Sequence, residues 1–241
     1  MTTSGTNTFN LDLNNLVEEA FERCGSELRT GYDLRTARRS LNLLTIEWAN
    51  RGINLWTIEQ GSIPLVSGTA TYNIPIDTID LLDHVIRTGS GTNQTDITCS
   101  RISVETYLTI PNKNSQGRPI QVWFNKQSGA TYPDGAGTTI ENPTITVWPV
   151  PNVNNTYTFV YWRLRRIEDA GEGGTRTQDI PFRFLPCMVA GLAYYLSMKL
   201  PDASQRIQML KADYEEQFKL AAEEDRERAP IRFVPRTMFY R

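Results

Sequence analysis

The sequence predicts an α+β protein: a four-helix bundle formed by N- and C-terminal helix pairs, an inserted antiparallel β-sandwich or barrel domain, and an extended C-terminal arm. Three observations predict it. Apolar residues recur at steps of three and four in residues 12–52 and again in 181–228, the period of a helix with a buried face. Between those segments the chain changes to short β-rich runs with period-two alternation, separated by turn residues. Residues 229–241 follow neither period. The expected divisions are an N-terminal helical pair (1–55), the β-domain (56–168), a glycine-rich flexible connector (169–180), a helical hairpin (181–228) and the arm (229–241).

In the first helix Asp12 serves as cap and Leu13, Leu16, Val17, Ala20, Phe21 and Cys24 form one stripe, with Gly25 as the stop. Asp33 is expected to cap the second helix, whose main stripe is Leu34, Ala37, Leu41, Leu44 and Trp48 and which ends at Gly52. Leu43 and Ile46 fall on another side of it, with Arg39 beside them. Such a second strip fits either a contact with another subunit or a helix buried on two sides within its own domain.

Six strand-like runs follow, at 57–65, 70–74, 79–88, 120–125, 144–148 and 157–165. Turn signals such as Ser67-Gly68, Ser128-Gly129 and Asp134-Gly135 separate them. Residues 103–110 read as one short helix, ended by Pro111. The two flanking helix pairs each have a face to bury, and packing them on each other is the simplest solution.

The C-terminal hairpin has two unlike arms. From Phe182 to Met198 the chain is apolar almost all round (Phe182, Phe184, Leu185, Met188, Val189, Leu192), as a helix buried on every side must be. Leu200-Pro201-Asp202 breaks it. The next helix places Ala203, Ile207, Leu210, Tyr214, Phe218 and Ala221 on one stripe, with Glu215–Lys219 and Glu224–Arg228 at supportive spacing on the outside.

A chain of 241 residues with 39% apolar and 22% charged residues can bury a substantial core. No run reaches the roughly 18 apolar residues of a membrane span, and the N-terminal stretch lacks the charged and apolar regions of a signal peptide. Cys24, Cys99 and Cys187 are far apart, odd in number and without a CxxC pair, which fits a reducing compartment and neither a disulfide framework nor zinc. A net charge of −2, spread evenly before the arm, disfavours wrapping of duplex nucleic acid.

Chemistry is sparse. His84 is the only histidine and sits at a strand, where a structural or surface role is expected rather than a catalytic one. Nucleotide, hydrolase and metalloprotease fingerprints are absent, so no catalytic residue, metal ligand or cofactor is assigned. Glycoside hydrolysis needs two acids flanking a sugar cleft. Glu59, Asp83 and Glu105, each with aromatics nearby in sequence, are the candidates, against the plain reading of solvated surface acids.

The order of the pieces resembles a known family. Asn15-Leu16-Val17-Glu18-Glu19-Ala20-Phe21, Arg38-Arg39-Ser40-Leu41 and Glu47-Trp48-Ala49-Asn50-Arg51-Gly52 are followed by Tyr72-Asn73-Ile74-Pro75, Asp80-Leu81-Leu82, Ile110-Pro111-Asn112-Lys113, Gly117-Arg118-Pro119 and Val147-Trp148-Pro149-Val150-Pro151. Together, over about residues 12–235, they resemble the head-to-tail adaptors of short-tailed bacteriophages, the tail tubular protein A type. The resemblance implies a structural virion protein in the neck of the phage, made in the host bacterial cytoplasm. It implies a homo-oligomeric ring of twelve copies between the portal protein and the tail nozzle, with DNA passing through the channel without sequence-specific binding and no membrane partner. Some relatives carry a cell-wall hydrolase activity, but none of its residues maps onto this sequence. The alternatives are a virion-associated peptidoglycan hydrolase and a β-sandwich carbohydrate-binding tail protein.

Two contact surfaces are expected. Arg39, Leu43 and Ile46, with the exposed side of the last helix, would meet a neighbouring subunit. The arm has two prolines and no acid, and thirteen extended residues reach roughly 40 Å. Phe233, Met238, Phe239 and Tyr240 are anchors of the kind that dominate interfaces, and Arg232, Arg236 and Arg241 offer forked donors, so the arm is expected to dock on the portal. The plain alternative is a frayed terminus.

Overall fold

The structure, a computed structural model, describes residues 3–28, 31–53, 55–126, 142–171 and 175–226. In chain order the elements begin with α1 (Leu13–Cys24), α2 (Gly31–Arg51), β1 (Ile58–Pro64), β2 (Thr71–Asn73) and β3 (Thr78–Thr88). Next come β4 (Thr95–Thr98), β5 (Ser100–Ile102), α3 (Val104–Leu108), β6 (Gln116–Gly117) and β7 (Gln121–Asn125). Last are β8 (Thr144–Trp148), β9 (Val150–Pro151), β10 (Tyr157–Arg165), α4 (Leu185–Ser197) and α5 (Ile207–Glu224). They form a helical unit from Met1–Trp56 with Glu168–Arg241, and a β unit from Thr57–Ile167.

Local chemistry sets the helix ends. Asp12 Oδ1 accepts from the Asn15 N–H at 2.8 Å and caps α1. At the other end Gly25 takes φ +76, its N–H bonds Glu22 O, and the Ser26 N–H reaches Phe21 O. Those two bonds satisfy carbonyls the helix leaves open, and the left-handed φ is what glycine allows at no steric cost. The Asp33 reading needs correction: α2 starts at Gly31, so Asp33 lies inside the first turn, where a carboxylate favours the helix dipole.

All six stripe residues of α1 are buried. On α2 the buried set is Ala37, Ser40, Leu41, Leu44, Thr45 and Trp48, and Leu34 packs at its margin. Helix α4 packs against α1, α2 and α5 and is the centre of the unit. Its Cys187, Met188, Val189, Ala190, Leu192 and Ala193 are all buried. Gly191 admits Leu44 and Tyr214 closely; a Cβ there would lie 2.9 Å from each. The all-round apolar reading fails at Phe182, which is 74% exposed because it sits in a 3-10 turn before the helix. The last helix also begins later than its stripe implies, since Pro201–Arg206 is a 3-10 segment and α5 starts at Ile207.

A polar knot ties α2, α4 and α5 together. Trp48 Nε1 donates to Tyr214 Oη at 3.1 Å, and Tyr214 and Tyr195 donate to the two Glu47 oxygens at 3.3 and 2.6 Å. Arg51 pairs with Glu47 at 2.6 Å and holds Glu215 through two bonds of 3.1 and 3.0 Å, its guanidinium 4.3 Å over the Phe218 ring. Glu215 is thus engaged by Arg51 of α2; Arg228 lies outside the described residues. The described parts of the connector, residues 169–171 and 175–180, are tied to the helical unit. Ala170 is buried and its N–H bonds Asn42 Oδ1, the Asp179 carbonyl accepts from Trp56 Nε1, and Thr177 bridges to Asp12.

The β unit has two four-stranded sheets, ordered β1-β10-β3-β4 and β2-β8-β7-β5, and the pair β6-β9. All six long strand runs appear, and the short helix is capped by Ser103 Oγ. Two expectations are corrected. The sheets do not close into a barrel, and they are not wholly antiparallel, because β5–β7 and β6–β9 run parallel. Both sheets feed one core: Phe159, Tyr161, Leu81 and Ile86 from the first, Val122, Phe124, Ile145 and Val147 from the second. Gly61 on β1 faces Tyr161 on β10, whose ring lies over the bare Cα; an added Cβ would fall 2.3 Å from that ring. The turn signals at residues 128–129 and 134–135 lie outside the described residues.

Candidate interaction surface

Helix geometry alone assembles the surface. With the core stripe of α2 turned inward, positions 32, 35, 39, 43 and 46 fall on its outward line, three or four residues apart. Tyr32 is 65% exposed, Leu43 54% and Ile46 47%, and Arg35 and Arg39 are exposed beside them. Burial of this strip inside its own domain is therefore ruled out. Large apolar side chains in a row with arginines are what protein interfaces favour.

The N-terminal half of this face is cationic. Arg35, Arg38 and Arg39 line a hollow of about 450 Å³ with Tyr32 and Asn42. Among the described residues no carboxylate forms an ion pair with any of the three. Arg39 donates to Thr36 Oγ1 at 3.3 Å and Arg38 to Ala170 O at 3.5 Å, both neutral acceptors. Lys199, at the end of α4, shares an adjoining hollow with Arg39 and Leu43 and donates to Ser40 Oγ at 2.7 Å. Burial, and then the Arg39 charge, pull its pKa below the ordinary lysine value. A cluster of this kind attracts an anionic partner.

The outward line of α5 has a different character. Met209 is 62% and Leu220 53% exposed, and Ala212, Glu216 and Glu223 lie exposed on the same line. A further apolar hollow of about 520 Å³ lies between the N-terminal segment (Asn7, Phe9, Leu11) and the start of α4 (Phe182, Leu185, Pro186).

The structure brings Arg39, Leu43 and Ile46 onto one exposed face. Tyr32 and Arg35 belong to the same line, and continuing the three–four step upstream from Arg39 would have found them. Arg38 flanks the line on α2 itself, three residues after Arg35, whereas Lys199 approaches from the end of α4, which no spacing reveals. The arm residues Arg232, Phe233, Arg236, Met238, Phe239, Tyr240 and Arg241 lie outside the described residues.

The hydrolase candidates are not brought together. Glu59 pairs in register with Arg163, whereas Asp83 pairs with Trp162, so the two acids point to opposite faces of one sheet. Glu59 is tied to Arg163 and Arg165 at 2.8 Å each, and Glu105 is in the first turn of α3. His84 packs against Phe159, with ring centroids 5.5 Å apart. Burial lowers its pKa more than the neighbouring Asp83 raises it. Among the described residues no His, Cys, Asp and Glu cluster could hold a metal ion, and no helix is long and apolar enough to cross a membrane.

Compared with known proteins, residues 12–234 match the family described as SU10 adaptor protein. No curated protein matches the chain.

Proposed function

The chain belongs to the SU10 adaptor protein family, phage structural adaptors of the virion, and from that premise we propose that it builds the joint between a phage head and its tail. In this reading copies of the chain, twelve in number, form a ring between the portal and the tail nozzle and leave an open channel for DNA. The exposed face of α2 carries the proposal. Tyr32, Leu43 and Ile46 with Arg35 and Arg39 make a mixed apolar and cationic strip that favours a protein partner over water. The ring grips its cargo weakly, consistent with a net charge of −2. Docking on the portal is assigned to the arm, through aromatic anchors at Phe233, Phe239 and Tyr240 and arginines at 232, 236 and 241.

Electron microscopy of the protein mixed with its portal tests the ring; one copy bound per portal particle would end that reading. Removing residues 229–241 should leave the fold intact and abolish portal attachment. Unchanged attachment of the shortened chain would reassign docking to another surface.

A further inference from the structure

We infer that, within the proposed ring, the outward face of α2 in one copy packs antiparallel on the outward face of α5 in the next. The two lines have one geometry. That of α2 steps 32, 35, 39, 43, 46 and that of α5 steps 209, 212, 216, 220, 223, so each spans four turns, roughly 21 Å. The 3-4-4-3 step reads the same in either direction, and running α5 antiparallel to α2 is what joins the two apolar ends. Ile46 then meets Met209, Leu43 meets Ala212, Arg39 meets Glu216, Arg35 lies level with Leu220, and Tyr32 lies level with Glu223.

Chemistry agrees with this register. The exposed apolar end of α2 (Leu43, Ile46) faces the exposed apolar end of α5 (Met209, Ala212). The cationic end faces the acidic one: Arg39 opposes Glu216, and Arg35 lies one turn from both Glu216 and Glu223. Lys219 flanks the α5 line and reduces its negative charge without reversing it. The small Ala212 gives Leu43 room, and a near-antiparallel crossing lets the rows interdigitate.

The contact is between copies because the inward faces of α2 and α5 already meet each other through Trp48 and Tyr214. It is head-to-tail, since pairing α2 with α2 would set Arg39 against Arg39, and pairing α5 with α5 would oppose acids. Unlike faces in contact generate rings or open filaments rather than two-fold dimers.

Oxidative cross-linking of the full chain carrying Leu43→Cys with Ala212→Cys tests it, because the native thiols at 24, 99 and 187 are buried. The expected result is a ladder of trimers and higher species, with neither single variant passing dimer. Arg39→Glu should cut the ladder about tenfold, and adding Glu216→Arg should restore it; that factor corresponds to about 1.4 kcal/mol. A product that stops at dimer, or a ladder indifferent to both charge changes, overturns the inference. Rings seen by microscopy in a preparation that yields no ladder overturn this contact and leave the ring standing. A ladder without closed rings does the reverse, and absence of both removes both.

Discussion

Replacing Tyr214 by Phe deletes one oxygen from the knot that joins α2, α4 and α5, and the structure sets the size of the effect. Trp48 is fully buried and Tyr214 is 1% exposed, so neither gains water when the hydroxyl goes. Trp48 Nε1 loses its acceptor at 3.1 Å, and an orphaned buried donor costs about 1–3 kcal/mol. Glu47 loses only its longest contact, 3.3 Å, and keeps Tyr195 and Arg51 at 2.6 Å each. The ring itself remains, so packing is conserved and no cavity term enters. The expected loss is therefore about 2 kcal/mol, which lowers a urea midpoint by roughly 1 M at a typical slope. Circular dichroism at 222 nm reports it, since among the described residues every α-helix except the five-residue α3 lies in the helical unit. Adding Trp48→Phe removes the donor as well, so the pair should show a coupling of about 1 kcal/mol or more. A Tyr214→Phe loss below about 0.5 kcal/mol, with no coupling, would refute the claim that this bond locks the bundle.

Other outcomes follow from the same structure. Gly61→Ala should destabilise the β unit by about 1–3 kcal/mol in thermal unfolding, because the Tyr161 ring has no free space to yield the new Cβ; unchanged unfolding would show that the ring moves freely. As the only histidine, His84 can be titrated by NMR without overlap, and its pKa should lie below the ordinary value of about 6.5. A histidine held neutral by the fold contributes stability above its unfolded pKa and loses it as pH falls through the folded value, so unfolding measured from pH 7.5 to 5 should show that decline and His84→Gln should flatten it. The thiols should resist a disulfide reagent until the chain unfolds, since burial raises Cys24 to about 11 and Cys99 and Cys187 to about 12; fast labelling of the native protein would contradict that burial.

What could be read from the sequence is what repeats locally. The caps at Asp12, Gly25 and Gly52, the six-residue stripe of α1 and the alternation in β10 each announce themselves within a few residues. Strands β4, β5, β6 and β9 are two to four residues long and lack the turn-bounded apolar alternation that marks even the short β2 through Tyr72 and Ile74. Parallel pairing of β5 with β7 depends on a crossover that no local pattern records. The Arg51–Glu215 pair joins residues 164 positions apart, and the Arg163 cluster draws on Glu59 from β1 and Asp77 from the turn before β3. On the candidate surface, Leu43 and Ile46 were legible because they break the stripe. Lys199 was not, because its place beside Arg39 is a property of how α4 crosses α2.

The helical unit is made from two separate runs of chain and the β unit from one. During translation α1 and α2 therefore emerge roughly 130 residues before α4, a delay of about 7–25 s at ordinary elongation rates. Through that interval their apolar faces have no α4 to lie against, and a nascent chain must be shielded from its neighbours on the same messenger. The β unit, contiguous and with its own core, can fold while they wait. Only when α5 has left the ribosome can the bundle close and turn Trp48 and Leu44 inward, so a prematurely terminated chain never presents a finished subunit to a growing assembly.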